Sequence, residues 1–167
     1  MAPFNKILVA VDRSPASEDV FVKALALAQC SQATLVLLSA IAPDYGVSYV
    51  NPPIYPGGES ISITEAAIKI YLERQEHERA TGLKFLHDLA LRAKDAHVTA
   101  EINQQIGDPA RSICEVADTL SVDLVVVGRR GYSGLNELWM SSVSNYVLHH
   151  APCSVLIIQQ VTATTDQ

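Results

Sequence analysis

Between residues 128 and 144 the chain sets three glycines, Gly128, Gly131 and Gly134, just after an apolar run, and three serines, Ser141, Ser142 and Ser144, at the start of the next predicted helix. Glycine permits positive φ and close backbone approach, and the N–H groups of a helix N-terminus carry partial positive charge, so this grouping could cradle a phosphate. The same residues also suit a structural task, with the glycines making a tight strand-to-helix turn and the serines capping the helix. Asp12, which closes the first apolar run, is the other group with chemistry to offer. A carboxylate there could orient a ribose hydroxyl, reach a magnesium ion held on a phosphate, or cap the turn D-R-S-P-A-S that follows.

A scaffold must bring these groups together. Residues 6–11 (KILVAV) are aliphatic without polar alternation, the pattern of a strand buried on both faces. Val20, Phe21, Ala24, Leu25 and Ala28 then recur at helical spacing, predicting a helix over 17–29, and 33–41 (ATLVLLSAI) reads as a second buried strand. Residues 42–64, rich in proline, glycine and tyrosine, read as a long irregular loop. A long helix over 65–94 is expected from Ile68, Leu72, Leu83, Leu86, Leu89 and Ala90 on one face, with Gly82 as a weak point. An alternating strand at 98–105 and a helix from 109 to 120, N-capped by Asp108 ahead of Pro109, come next. A buried strand at 124–128, a helix after Ser142 and a last strand at 153–159 complete the alternation.

The pattern predicts one α/β domain over residues 1–160, doubly wound and Rossmann-like: a five-stranded, mostly parallel sheet of order 3-2-1-4-5 with helices on both faces and a flexible tail at 161–167. In such sheets ligands sit beyond the carboxyl ends of the strands, where the strand order reverses. Asp12, Ile41, Gly107 and Gly128 should therefore line one crevice.

Composition narrows the partners. At 49% apolar and 18% charged, with a formal net charge of -6 and no basic run, the chain does not read as a nucleic-acid or membrane-surface binder. No stretch approaches the roughly 20 apolar residues of a membrane span. Three widely spaced cysteines without a C-x-x-C pair suggest neither a disulfide framework nor a zinc site, which points to the cytoplasm. His149 and His150 fall at the end of the last helix, where imidazole suits the carbonyl terminus; His77, His87 and His97 stand apart from one another, without ligand spacing. Ser14 and Ser133 have no identifiable activating histidine, and the sequence offers no general base or metal cluster in a motif, which argues against an enzyme. No G-x4-G-K-[ST] run and no strand-linked G-x-G-x-x-G occurs, which weakens P-loop and dinucleotide readings.

The segments V-A-V-D-R-S, I-G-D-P-A and D-L-V-V-V-G-R-R-G-Y-S-G-L-N-E-L-W-M-S-S-V-S-N-Y-V-L-H-H-A-P-C-S-V-L-I-I together resemble the universal stress protein family, over essentially the whole chain and most densely from residue 123 to 158. Nucleotide-binding members of that family carry G-x2-G-x9-G-[ST]. Gly128, Gly131 and Ser142 fit it, whereas Ser141 replaces the third glycine. The resemblance implies an ATP- or AMP-binding stress sensor or regulator, with adenine near Ile41, ribose near Asp12, Arg130 facing the phosphates, and phosphates between the Gly128–Gly131 turn and Ser141, Ser142, Val143 and Ser144. Ser141 would either crowd the outer phosphates through its Cβ or add a hydroxyl donor. The alternative is an interaction protein of the same fold that has lost tight nucleotide binding. A homodimer is expected through strand 154–159, which lies at an edge of the sheet, is apolar, and is where many members of the family pair.

Overall fold

The computed structural model describes residues 4–41, 65–129 and 142–159. Among the described residues nine elements follow one another: β1 (Lys6–Ala10), α1 (Pro15–Ser31), β2 (Thr34–Ile41), α2 (Glu65–Asp95), β3 (Ala100–Ile106), α3 (Pro109–Thr119), β4 (Leu124–Arg129), α4 (Ser142–His150) and β5 (Ser154–Gln159). The expected loop at 42–64 and tail at 161–167 lie outside the described residues.

The sheet has the order β3-β2-β1-β4-β5, and all four strand pairs are parallel. Successive side chains of a strand point to opposite faces, so each strand feeds two cores. Ile7, Val9, Leu35, Leu37, Leu124 and Val126 pack with Val20, Phe21 and Ala24 of α1 and Leu86, Leu89 and Ala93 of α2. On the opposite face Leu8, Val36, Leu38, Val125 and Val127 pack with Ile113, Val116 and Ala117 of α3 and Val147 of α4. Near-continuous aliphatic runs are what a parallel sheet covered on both faces demands.

The strand order reverses between β1, whose next helix lies on one face, and β4, whose next helix lies on the other. In a sheet of this order the crevice that receives a ligand lies beyond the carboxyl ends of these two neighbours. Local chemistry fixes the elements that frame it. Pro15 starts α1, and α3 opens as expected, with Asp108 accepting from the Arg111 N–H at 2.9 Å.

Helix α2 departs from its expected face. Its 31 residues span about 46 Å at 1.5 Å per residue. β3 beneath it has 7 residues, about 23 Å. Burial begins at Gly82 and runs through Leu86, Leu89 and Ala93. Ile68 and Leu72, which share that face by spacing, are 48% and 57% exposed. Because α2 runs antiparallel to the strands, this overhang projects past their carboxyl ends, the side on which the crevice opens.

Candidate functional site at the carboxyl edge of the sheet

Asp12 follows β1 directly, and its carboxylate organises the first turn of α1. Asp12 Oδ1 accepts from the Ser14 N–H at 3.0 Å, from the Ser17 hydroxyl at 2.7 Å and from the Ser14 hydroxyl, while the Asp12 N–H donates to Ser17 Oγ at 2.8 Å. Ser17 is buried, so its hydroxyl needs this acceptor. The capping role anticipated for Asp12 is thus present, and it holds the carboxylate in one orientation at the mouth of the crevice. Arg13, next in the chain, forms an exposed ion pair with Glu78 in α2, which ties the turn to the overhanging helix. Ser17 and Glu78 were not singled out from the sequence. The D-R-S-P-A-S spacing carries a signal for Ser17, but nothing local marks Glu78, whose partner lies 65 residues away.

Ile41 ends β2, half-buried and in register with Ile106 of β3. Its carbonyl accepts from the Gly107 N–H at 3.0 Å. Its side chain leans toward α2, where its Cδ1 lies 3.9 Å from the place a Cβ would occupy at Gly82. Gly82, read from sequence as a weak point, is therefore a place of close approach. A side chain there would also meet the Gln104 amide, which donates to the Arg79 carbonyl at 3.2 Å.

Gly128, the penultimate residue of β4, faces α1. A Cβ on it would lie 2.8 Å from Cγ2 of Val20, so its smallness lets the helix close on the strand beside the crevice. At the far side of the crevice α4 begins at Ser142. Val143 is half-buried against the second core, and Ser144 is fully buried. The amino end of α4 is the positive end of its helix dipole. Arg130, Gly131 and Ser141, together with Gly134, lie outside the described residues, as does the side chain of Ser142. Of the expected site residues the structure thus brings Asp12, Ile41, Gly128, Val143 and Ser144 to one edge of the sheet.

The chemistry of this set is mixed in a way that suits a nucleotide: an apolar step at Ile41, a fixed carboxylate at Asp12 and a helix N-terminus at Ser142–Ser144. It offers little to a metal by itself, since no cluster of three or more His, Cys, Asp or Glu occurs among the described residues. Cys114 and Cys153 pack partly buried against the second core, and burial pushes both thiols up, which makes them poor nucleophiles. A shallow depression of about 420 Å³ lies at the opposite end of the sheet, bordered by His87, Leu91, Lys94, His97 and Thr99. It sits at the amino end of β3, away from the reversal of strand order, and its groups do not converge. Among the described residues, no helix is long and apolar enough to cross a membrane.

Comparison with known proteins agrees with this fold. Universal stress protein Sll1388 of Synechocystis is 37% identical over 156 residues, covering 93% of this chain and 98% of its own. The solved universal stress protein UspA of Lactobacillus plantarum superposes with a TM-score of 0.70 at 25% identity, over 92% of this chain and 97% of its own. A universal stress protein solved in complex with cAMP matches at TM-score 0.60 and 24% identity, covering 93% and 96% of the two chains. A family member from Arabidopsis thaliana solved with AMP bound matches at 0.59 and 21%, covering 97% and 96%. The model of the universal stress protein family matches residues 3–159. The chain belongs to the universal stress protein family.

Proposed function

We propose that this protein binds an adenine nucleotide, ATP or AMP, at the carboxyl edge of its sheet and acts in the cytoplasm as a sensor or regulator in the stress response. The observation that carries the reading is the convergence of Asp12, Gly128 and the N-terminus of α4 at the reversal between β1 and β4. In this reading the base lies toward Ile41, the ribose hydroxyls meet Asp12, and the phosphates lie at Ser142–Ser144 with Arg130, Gly131 and Ser141 completing the cradle. A magnesium ion would accompany ATP through the phosphates, with Asp12 within indirect reach. Its contribution would be charge neutralisation on the phosphates. The binding of cAMP by one relative of this fold and of AMP by another supports an adenine nucleotide here. Two copies pair through β5, whose outer edge has no strand neighbour among the described residues and whose Val155, Leu156 and Ile157 are only half-buried.

Calorimetric titration with AMP, ADP, ATP and cAMP tests the reading. Saturable binding of at least one below millimolar concentration is expected, and silence with all four would refute it. Ser141 favours the second reading, an interaction protein with the nucleotide site lost. If its Cβ only crowds the outer phosphates, Ser141→Gly will raise the affinity for ATP relative to AMP.

A further inference from the structure

We infer that Ile106 is a base-contacting, specificity-determining residue of the same site, forming with Ile41 an apolar step on which the ring of an adenine nucleotide lies. The inference rests on the nucleotide reading above and adds to it a residue that the family motif does not contain.

Three observations converge on Ile106. It is 58% exposed, and it is the one large apolar residue so exposed on a strand among the described residues; the others sit on helices. It also breaks the composition of its own strand. β3 is an edge strand, and along it Glu101, Asn103, Gln104 and Gln105 supply the polar surface that an unpaired edge needs. Ile102 is the other branched aliphatic of the strand and packs against the first core, whereas Ile106 stands beyond that core in solvent.

The third observation is position. Ile106 is the register partner of Ile41, and partners in a parallel pair present their side chains on the same face. The Gly107 N–H bond to the Ile41 carbonyl keeps the two strands paired up to their last residues. Two adjacent branched side chains thus form a continuous apolar lip beside the turn that carries Asp12. The Arg13–Glu78 pair joins that turn to α2 behind them. An apolar surface bordered by a fixed carboxylate is suited to a flat heteroaromatic ring joined to a sugar, and less to a phosphate or to a free sugar.

The test compares AMP with ribose 5-phosphate, which keeps the sugar and phosphate but lacks the base, on wild type, Ile106→Ser and Ile106→Leu. NMR titration reads affinities into the millimolar range. Ile106→Ser is expected to lose about five- to tenfold in AMP affinity, equivalent to about 1.0–1.4 kcal/mol at 1.4 kcal/mol per tenfold. Its ribose 5-phosphate affinity should stay within twofold, and Ile106→Leu should keep AMP affinity within twofold. An unchanged AMP affinity in Ile106→Ser, or an equal loss for both ligands, overturns the inference and leaves the nucleotide reading standing. A wild type that binds no adenine nucleotide overturns both.

Discussion

Gly128 belongs to the glycine pattern that suggested a phosphate cradle, yet its surroundings assign it a packing role that can be measured. A Cβ at this position would sit 2.8 Å from Cγ2 of Val20. Ordinary carbon contacts lie at about 3.5–4.0 Å, so the neighbour must retreat by about 0.7 Å. Val20 is 3% exposed on α1, and a β-branched residue in a helix has one strongly preferred χ1, so it has no easy rotamer to escape into. Gly128→Ala should therefore destabilise the fold by about 1–3 kcal/mol, the range for overpacking a close-packed core. Val20→Ala alone should cost about 2 kcal/mol as a large-to-small change. In the double variant the new methyl occupies space that Val20 has vacated, so the two costs should fall short of additive by 1 kcal/mol or more. Urea unfolding followed by circular dichroism gives all four stabilities, provided the slopes agree. Gly128→Ala within about 0.5 kcal/mol of wild type, or a strictly additive cycle, would refute the packing account.

Three further outcomes follow from the geometry. Asp123 at the amino end of β4 accepts from the N–H groups of Asn5 and Lys6 at 2.7 and 2.8 Å, and these backbone bonds hold its carboxyl below the usual range. A lowered folded-state pKa contributes stability that is complete above the unfolded value of about 3.9 and is lost as pH falls through the folded value; the stability gap between wild type and Asp123→Asn, measured by urea unfolding, should therefore close below about pH 4. Asp12→Ala should cost about 1–2 kcal/mol by stranding the buried Ser17 hydroxyl, with Asp12→Asn milder because an acceptor oxygen remains; equal losses in thermal melts would contradict the capping account. Ile157→Pro should turn a dimer into a folded monomer in light scattering at tens of micromolar, by removing a donor and kinking β5; a folded dimer would place the interface elsewhere.

Much of this architecture is legible in the chain because a doubly wound sheet writes itself plainly. Runs such as KILVAV and LVVVG are apolar on both faces, Asp108-Pro109 announces a helix start, and the alternation of elements announces a doubly wound parallel sheet. What was not legible depends on contacts across long separations. The repeat through Ile68 and Leu72 matches a buried stripe, yet periodicity carries no information on where the underlying strand ends, and α2 outruns β3. Gly82 looks like a helix defect until Ile41 and Gln104 are seen against it. The strand ending at Gln105 in the sequence reading runs to Ile106, and that one residue, with its register to Ile41, is what makes the apolar lip visible. For the site, a parallel sheet puts the carboxyl ends of β1, β2 and β4, with Asp12, Ile41 and Gly128, on one side of the fold, whereas the network from Asp12 to Ser14 and Ser17 and the tie from Arg13 to Glu78 depend on contacts that the sequence does not spell out.

The most direct test of the central claim is backbone amide chemical-shift mapping by NMR as AMP is added. The account predicts the largest changes at Asp12, Ile41, Ile106, Gly128 and Val143, with little movement between His87 and Thr99 at the other end of the sheet. Changes clustered around His87–Thr99, or a spectrum that does not move at millimolar AMP, would contradict it.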